Sequence, residues 1–227
     1  INLSKTGDFT AATRSDAIVA GGFGQRDLID NPHRLAILSR LGVKYILDRK
    51  ENSMIPPEQL TPVYEKDDWT VYELGSSIPK AVLASRYSIA QTKEAFTSRY
   101  FNQSFDPNTD VILDTPPIEE PGPGSGIAHI DSYSPNHIDV TVTTNSPKFL
   151  VLSDTYYPGW IATVDGATAP IYRANWTMRA VAIPAGNHTV TFSYEPASVR
   201  IGLVISIASL AVLFLWMYSR YKANEKS

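Results

Sequence analysis

At 227 residues, 43% of them hydrophobic and 19% charged, the chain is long enough for one large domain or two small ones and too apolar to be disordered throughout. The 20 basic and 23 acidic side chains leave a formal charge of −3, which supplies no polycationic surface for nucleic acid. The absence of cysteine excludes disulfides, thiolate zinc sites, Cys nucleophiles and iron–sulfur clusters.

In chain order, Gly21-Gly22-Phe23-Gly24 lacks the spacing of a dinucleotide fingerprint or a phosphate loop and reads as a loop. Asn31-Pro32 followed by His33 to Arg40 predicts a helix: Pro32 suits a first turn, Leu35, Ile37, Leu38 and Leu41 supply apolar positions, and Gly42 can end it. A strand is expected over 43–47. A hairpin is expected over 63–74, turning at Lys66-Asp67-Asp68. A strand over 81–84, a helix over 91–101 and a strand over 110–113 complete a small α/β or α+β unit.

Residues 116–126, PPIEEPGPGSG, carry four Pro and three Gly and allow neither helix nor ladder continuity, so an interdomain linker is expected there. Beyond it strand runs alternate with turns. Ile138, Val140 and Val142 alternate with Asp139, Thr141 and Thr143, the period of a strand with one face buried. Phe149 to Leu152 is apolar on both sides and should be central. Trp160 to Val164 leads into Asp165-Gly166, which tolerates the positive φ of a tight turn, and the chain returns through 167–172. Strands at 178–183 and 188–194 finish the pattern of an antiparallel β-sandwich.

The last feature is Ile201 to Tyr218, IGLVISIASLAVLFLWMY, a stretch without charge that reads as a transmembrane helix. Its ten Leu, Ile, Val and Phe residues favour insertion by about 3–6 kcal/mol at about 0.3–0.6 each. Arg220, Lys222 and Lys226 follow it while Arg200 alone precedes it closely, so the C-terminus is expected in the cytoplasm and residues 1–198 outside. No charged and apolar leader opens the chain, which predicts that export information lies upstream, or that a signal has been removed. Gly202, Ser206 and Ser209 share a helix face that another helix can approach closely, although a lone anchor tolerates the same residues.

Candidate chemistry is sparse. His129-Ile130-Asp131 recurs as His137-Ile138-Asp139, so each His shares a strand face with its Asp and two strands can in principle assemble a metal site; no third ligand is set by spacing, and ordinary alternation explains the repeat. Glu119-Glu120 and Asp67-Asp68 read as solvated loop acids. The aromatic run Tyr156-Tyr157-Pro158-Gly159-Trp160, with Tyr172 and Trp176, offers ring faces beside polar groups. Asp154, Tyr156, Trp160, Arg173, Asn175 and Trp176 are therefore the candidates for binding a sugar, set against a packing role at one end of the sandwich or on the membrane surface. Asn2, Asn102, Asn175 and Asn187 each open an Asn-x-Ser/Thr sequon.

Several segments together resemble the C-terminal region of the YfhO-type bacterial membrane proteins. They are Leu-Val-Leu-Ser-Asp at 150–154, Tyr-Tyr-Pro-Gly-Trp at 156–160, Val-Asp-Gly at 164–166, Tyr-Arg-Ala-Asn at 172–175, Pro-Ala-Gly-Asn-His-Thr-Val at 184–190 and Tyr-Glu-Pro at 194–196. Upstream, Leu-Gly-Val-Lys-Tyr-Ile-Leu at 41–47, Ile-Pro-Lys-Ala-Val-Leu at 78–83, Phe-Asp-Pro at 105–107 and Val-Ile-Leu at 111–113 extend the likeness. The resemblance implies a multi-spanning parent similar to glycosyltransferases that use lipid-linked sugars, with its acidic catalytic residue in an early outer loop outside these residues.

The expected fold is mixed: a small α/β (α+β) unit over 1–115, the Pro/Gly linker over 116–126, an antiparallel β-sandwich over 127–198, one transmembrane helix over 199–219 and a cytoplasmic tail over 220–227. Expected partners are the lipid bilayer, upstream transmembrane helices of the same parent, and cell-envelope glycan or lipid-linked sugar; nucleic acid is not expected. No catalytic residue, metal or cofactor is assigned. The alternative is a single-pass surface module that binds carbohydrate or protein.

Overall fold

The computed structural model describes residues 34–40, 42–49, 60–75 and 77–224. Gly21 to Gly24, Pro32, the sequon at Asn2, Leu41 and Lys226 lie outside the described residues. Helix α1 (Arg34–Arg40) leads into β1 (Tyr45–Arg49), and β2 (Thr61–Lys66) and β3 (Trp69–Glu73) form the expected hairpin. These strands make a three-stranded antiparallel sheet in the order β1-β3-β2. Its hairpin turns at Asp67, whose φ of 51° is a left-handed conformation that Asp tolerates better than most residues.

Two larger sheets follow. The five-stranded sheet is β11-β10-β14-β8-β7, wholly antiparallel. It uses β7 (Gly126–Ser134), β8 (His137–Thr144), β10 (Trp160–Val164), β11 (Ala167–Ala169) and β14 (Gly186–Tyr194). The six-stranded sheet is β4-β9-β13-β12-β6-β5, built from β4 (Ala81–Ala84), β5 (Arg86–Ile89), β6 (Asp110–Leu113), β9 (Lys148–Leu152), β12 (Tyr172–Ala174) and β13 (Met178–Ile183). The single expected strand over 167–172 is thus two strands in different sheets: the chain changes sheet at Pro170-Ile171, where a missing N–H interrupts any ladder.

The sandwich departs from pure antiparallel pairing at one place. β5 and β6 pair in parallel, and α2 (Lys93–Tyr100) lies between them in the chain, supplying the long crossover that a parallel pair needs. The Thr92 hydroxyl caps α2 by accepting the Ala95 N–H at 3.3 Å.

Residues 116–126 carry the chain from β6 of the six-stranded sheet to β7 of the five-stranded one. β4 pairs with β9, and β6 with β12, so strands from before the Pro/Gly segment complete a sheet begun after it. Pro and Gly report that backbone periodicity stops, not that packing stops. The segment is tied down: Ile118 donates its N–H to the Tyr172 hydroxyl, Tyr87 donates to Glu120, and Gly122 donates its N–H to the Pro147 carbonyl. Beneath it the ammonium of buried Lys148 donates to Ser85 Oγ and to the carbonyls of Gly122 and Gly124, each at 2.8 Å.

The core follows the pleat. Ile138, Val140, Val142, Leu150, Leu152, Val181, Ile183, Val190 and Phe192 meet between the two larger sheets, and each such side chain contributes about 1.5–3 kcal/mol of burial. Phe149, Val151, Tyr172, Ala174 and Ala180 form a second cluster on the opposite face of the six-stranded sheet. Phe96 and Tyr100 of α2 pack on Ile112 in a third.

Helix α3 (Ala197–Asn224) begins two residues after β14 ends. Its Ala197–Met217 portion has a mean hydropathy of 2.2 and is wholly unburied, so it is long and apolar enough to cross a membrane. The helix starts slightly earlier than the hydrophobic run alone predicts, because Ala197 and Ser198 after Pro196 form its first turn.

Candidate functional site

The site lies at the end of the sandwich from which α3 departs. In β13, Met-Arg-Ala-Val-Ala-Ile places Arg179 in register with Leu152, pointing inward on a strand whose other inward residues, Val181 and Ile183, are apolar. It is 2% exposed. Its guanidinium lies 3.8 Å from the centre of the Trp160 ring and 5.4 Å from that of Phe192, both on the facing sheet. Nη2 donates to Asp154 Oδ2 at 3.0 Å, while Nε is buried without a hydrogen-bond partner.

Asp154 lies just beyond β9 and is shared by three donors. Lys80 approaches Oδ1 at 3.1 Å, Arg179 holds Oδ2, and the Tyr133 hydroxyl reaches both oxygens at 3.1 Å. Lys80 also stands 4.0 Å from the Tyr133 ring centre. Burial pulls the Arg179 guanidinium below its ordinary pKa, with the Asp154 carboxylate opposing it. At Lys80 burial acts in the same direction, but the hydrogen bonds to Tyr133 and Asp154 outweigh it and the net shift is upward. The carboxylate side of the pair is fully met by Arg179, Lys80 and Tyr133, whereas the buried Arg179 Nε is not, so desolvation of the guanidinium is only partly offset.

The same end carries the junction to α3. Glu195 donates its N–H to the Gly159 carbonyl at 2.7 Å, and Tyr194 donates to the Asn136 carbonyl at 2.9 Å. Gly159 has φ 108°, and a Cβ there would lie 3.2 Å from Pro196 Cα and 3.0 Å from Tyr194 Cε2. Only glycine allows both the conformation and the approach. The Trp160 and Tyr157 rings stand 5.4 and 6.2 Å from that of Tyr194. Pro158-Gly159-Trp160 thus braces the two residues through which the sandwich becomes a helix.

Of the six sequence candidates, Asp154 and Trp160 meet through Arg179. Arg173, the cross-strand partner of Arg179, pairs with Asp114 and stands 6.0 Å from the Tyr156 ring. Asn175 and Trp176 do a different job. Asn175 is buried with φ 44°; its Oδ1 accepts the Ile112 N–H at 3.0 Å and its own N–H donates to the Ile112 carbonyl at 2.7 Å. Trp176 stacks on Phe96 of α2 at 5.5 Å. The sequon at Asn175 is therefore closed to a glycosylating enzyme. Sequence reading missed Arg179, Lys80 and Tyr133; the available signal for Arg179 was a charged residue at an inward position of an apolar strand.

The His-Asp repeat forms two separate pairs on the outer face of the five-stranded sheet. His129 Nδ1 and Asp131 Oδ1 are 2.9 Å apart, as are His137 Nε2 and Asp139 Oδ2. Thr141 donates to Asp131, and Ser132 and Thr191 donate to Asp139, holding both carboxyls below their ordinary pKa. Among the described residues no three His, Cys, Asp or Glu side chains converge as metal ligands.

Residues 126–206 match the family model of the bacterial membrane protein YfhO. No curated protein and no solved structure matches the chain. The YfhO match opens on the first residue of β7 and ends inside α3, so it spans the whole five-stranded sheet and the junction. Tyr133, Asp154, Trp160 and Arg179 fall within it, whereas β4 to β6 and Lys80 lie before it.

Proposed function

We propose that this chain is the extracytoplasmic C-terminal region and last membrane helix of a multi-spanning bacterial membrane protein, a glycosyltransferase-like protein acting on cell-envelope glycans. The chain's own part is to hold a rigid β-sandwich over the membrane site, where it shapes access for a glycan or lipid-linked sugar without performing chemistry. The observation that carries this reading is the junction: the Gly159 carbonyl accepts the Glu195 N–H, Gly159 abuts Pro196, and α3 starts at once. A flexible tether would serve a free surface module; a braced joint serves a domain that must keep its orientation to the bilayer. Arg220 and Lys222 after the apolar stretch favour a cytoplasmic C-terminus.

Of the six sugar-binding candidates, Asp154, Tyr156, Trp160 and Arg173 stay in this proposal, because Asn175 is buried on Ile112 and Trp176 is stacked on Phe96. Arg179 lies closely over Trp160 at 3.8 Å, whereas Arg173, paired with Asp114, stands 6.0 Å from the Tyr156 ring, so Tyr156 keeps the more open ring for stacking.

Because the chain has no cysteine, topology can be read from single introduced thiols. In the full-length parent in intact cells, with any cysteine outside these residues replaced, Asn136→Cys should react with a membrane-impermeant maleimide and Ser227→Cys only after permeabilisation. The reverse pattern refutes the outer placement. Further apolar spans encoded upstream are expected, and a cleavable leader directly before Ile1 would leave the single-pass module instead.

A further inference from the structure

The three-stranded sheet carries a largely apolar face that, among the described residues, is left exposed. Register places Tyr45, Leu47 and Arg49 beside Glu73, Val71 and Trp69, and Tyr64 and Lys66 on the far side of β3. Register partners point to the same side. Tyr45 is 53%, Leu47 62%, Tyr64 58% and Trp69 46% exposed. Water rarely faces so many large apolar groups on one flat surface without a reason.

The small sheet is rooted at the end of the sandwich from which α3 leaves. Leu74 donates its N–H to the Lys44 carbonyl at 2.8 Å, and Ile78 donates to the Ser39 carbonyl at 3.2 Å. A Cβ on Gly42 would lie 3.2 Å from Ser153 Oγ, beside Asp154. Ser153 in turn donates its N–H to Lys80, which pairs with Asp154. From Asp154 the contacts run through Arg179 and Trp160 to Tyr194, just before the helix.

We infer that this face rests on the phospholipid headgroup layer of the bilayer that α3 enters, giving the outer region a second foot beside its helix. This rests on α3 crossing a membrane. The chemistry fits that occupant: Tyr and Trp settle at the boundary between headgroups and acyl chains, and Arg and Lys stems lie along apolar surface while their charges meet phosphate. Arg49 stands 5.8 Å from the Trp69 ring centre and 3.9 Å from the exposed Asp68 carboxylate, and Lys66 is the cross-strand partner of Trp69. A protein partner docking on this face would have to bury those cations, whereas the headgroup layer leaves them solvated and paired with phosphate.

The test uses residues 1–227 reconstituted in phosphatidylcholine vesicles, with one environment-sensitive fluorophore on an introduced cysteine. Leu47→Cys reports the sheet, Leu210→Cys the helix and Asn187→Cys the opposite end of the sandwich. Expected are deep quenching at Leu210 by lipids spin-labelled on the acyl chain, quenching at Leu47 only by labels near the headgroup, and none at Asn187. Adding Trp69→Glu should abolish quenching at Leu47 while leaving that at Leu210. Quenching at Leu210 with a Leu47 probe that stays in water, or that is shielded from water without lipid quenching, overturns the inference. So does quenching at Leu47 that Trp69→Glu leaves intact. If Leu210 itself is not quenched, the membrane reading of α3 fails and the second foot fails with it.

Discussion

The Arg179 guanidinium lies 3.8 Å from the centre of the Trp160 ring, so a charged side chain of one sheet closes against an aromatic side chain of the other at the end where the helix departs. Through Asp154 the same guanidinium reaches Lys80 and Tyr133, so residues from three separate strands or loops converge on one carboxylate.

Arg179→Met should remove a buried cation while leaving Asp154 with Lys80 and Tyr133 alone. Because Asp154 keeps Lys80 and Tyr133, the loss should fall below the about 3–5 kcal/mol that an unpaired buried charge costs. Denaturant unfolding of the detergent-solubilised chain should show that loss, and Asp154→Asn should cost much less in the Arg179→Met background than in the native one. Additive losses would mean that the two residues do not act as a unit.

Lys148→Met should loosen the Pro/Gly segment. It strands three acceptors, Ser85 Oγ and the carbonyls of Gly122 and Gly124, and unmet buried partners cost about 1–3 kcal/mol. Limited proteolysis should then cut near 120–124 where the native chain resists. Burial also lowers the pKa of Lys148 below 10.5. For a base lowered by folding, the burial cost is full below the folded pKa and fades as pH rises towards the unfolded value. Stability should therefore rise with pH in that window, and Lys148→Met should erase this rise.

The outer face of the five-stranded sheet should control acid sensitivity. On that face hydrogen bonds from Ser132 and Thr191 to Asp139 and from Thr141 to Asp131, and at the β10–β11 turn one from the inward-facing His188 to Asp165, hold these carboxyls below 3.8. Their stabilisation is present above the unfolded pKa and disappears as pH falls through the folded one. Asp139→Asn should flatten the acid limb of a circular-dichroism titration; an unchanged limb would show that these bonds do not outlast exposure to water.

Asn175→Ala should strain the β12–β13 turn. It removes the acceptor for the Ile112 N–H and leaves alanine at φ 44°, for a combined loss of about 2–4 kcal/mol. Asn175→Asp retains the acceptor, so thermal unfolding should separate the two variants by several degrees.

Much of the architecture was legible because it is local. The hairpin at Asp67, the alternation of β8, the all-apolar Phe149 to Leu152 run and the charge-free stretch of α3 are each written in neighbouring residues, and period and charge are properties of neighbours. The YfhO likeness likewise rested on contiguous segments, and Pro158-Gly159-Trp160 was conspicuous before its contact with Pro196 gave it a reason.

What tertiary structure alone decided was which strands share a sheet and which polar groups share a partner. Nothing local says that β4 lies beside β9 across 63 intervening residues, or that β6, before the Pro/Gly segment, pairs with β12 after it. Nor does local sequence say that Lys80, Tyr133 and Arg179 claim the same carboxylate. Strand pairing is set by the total surface that a topology buries, and a buried charge is tolerated only where distant residues supply its partners. Both are sums over the whole molecule, which no window of adjacent residues contains.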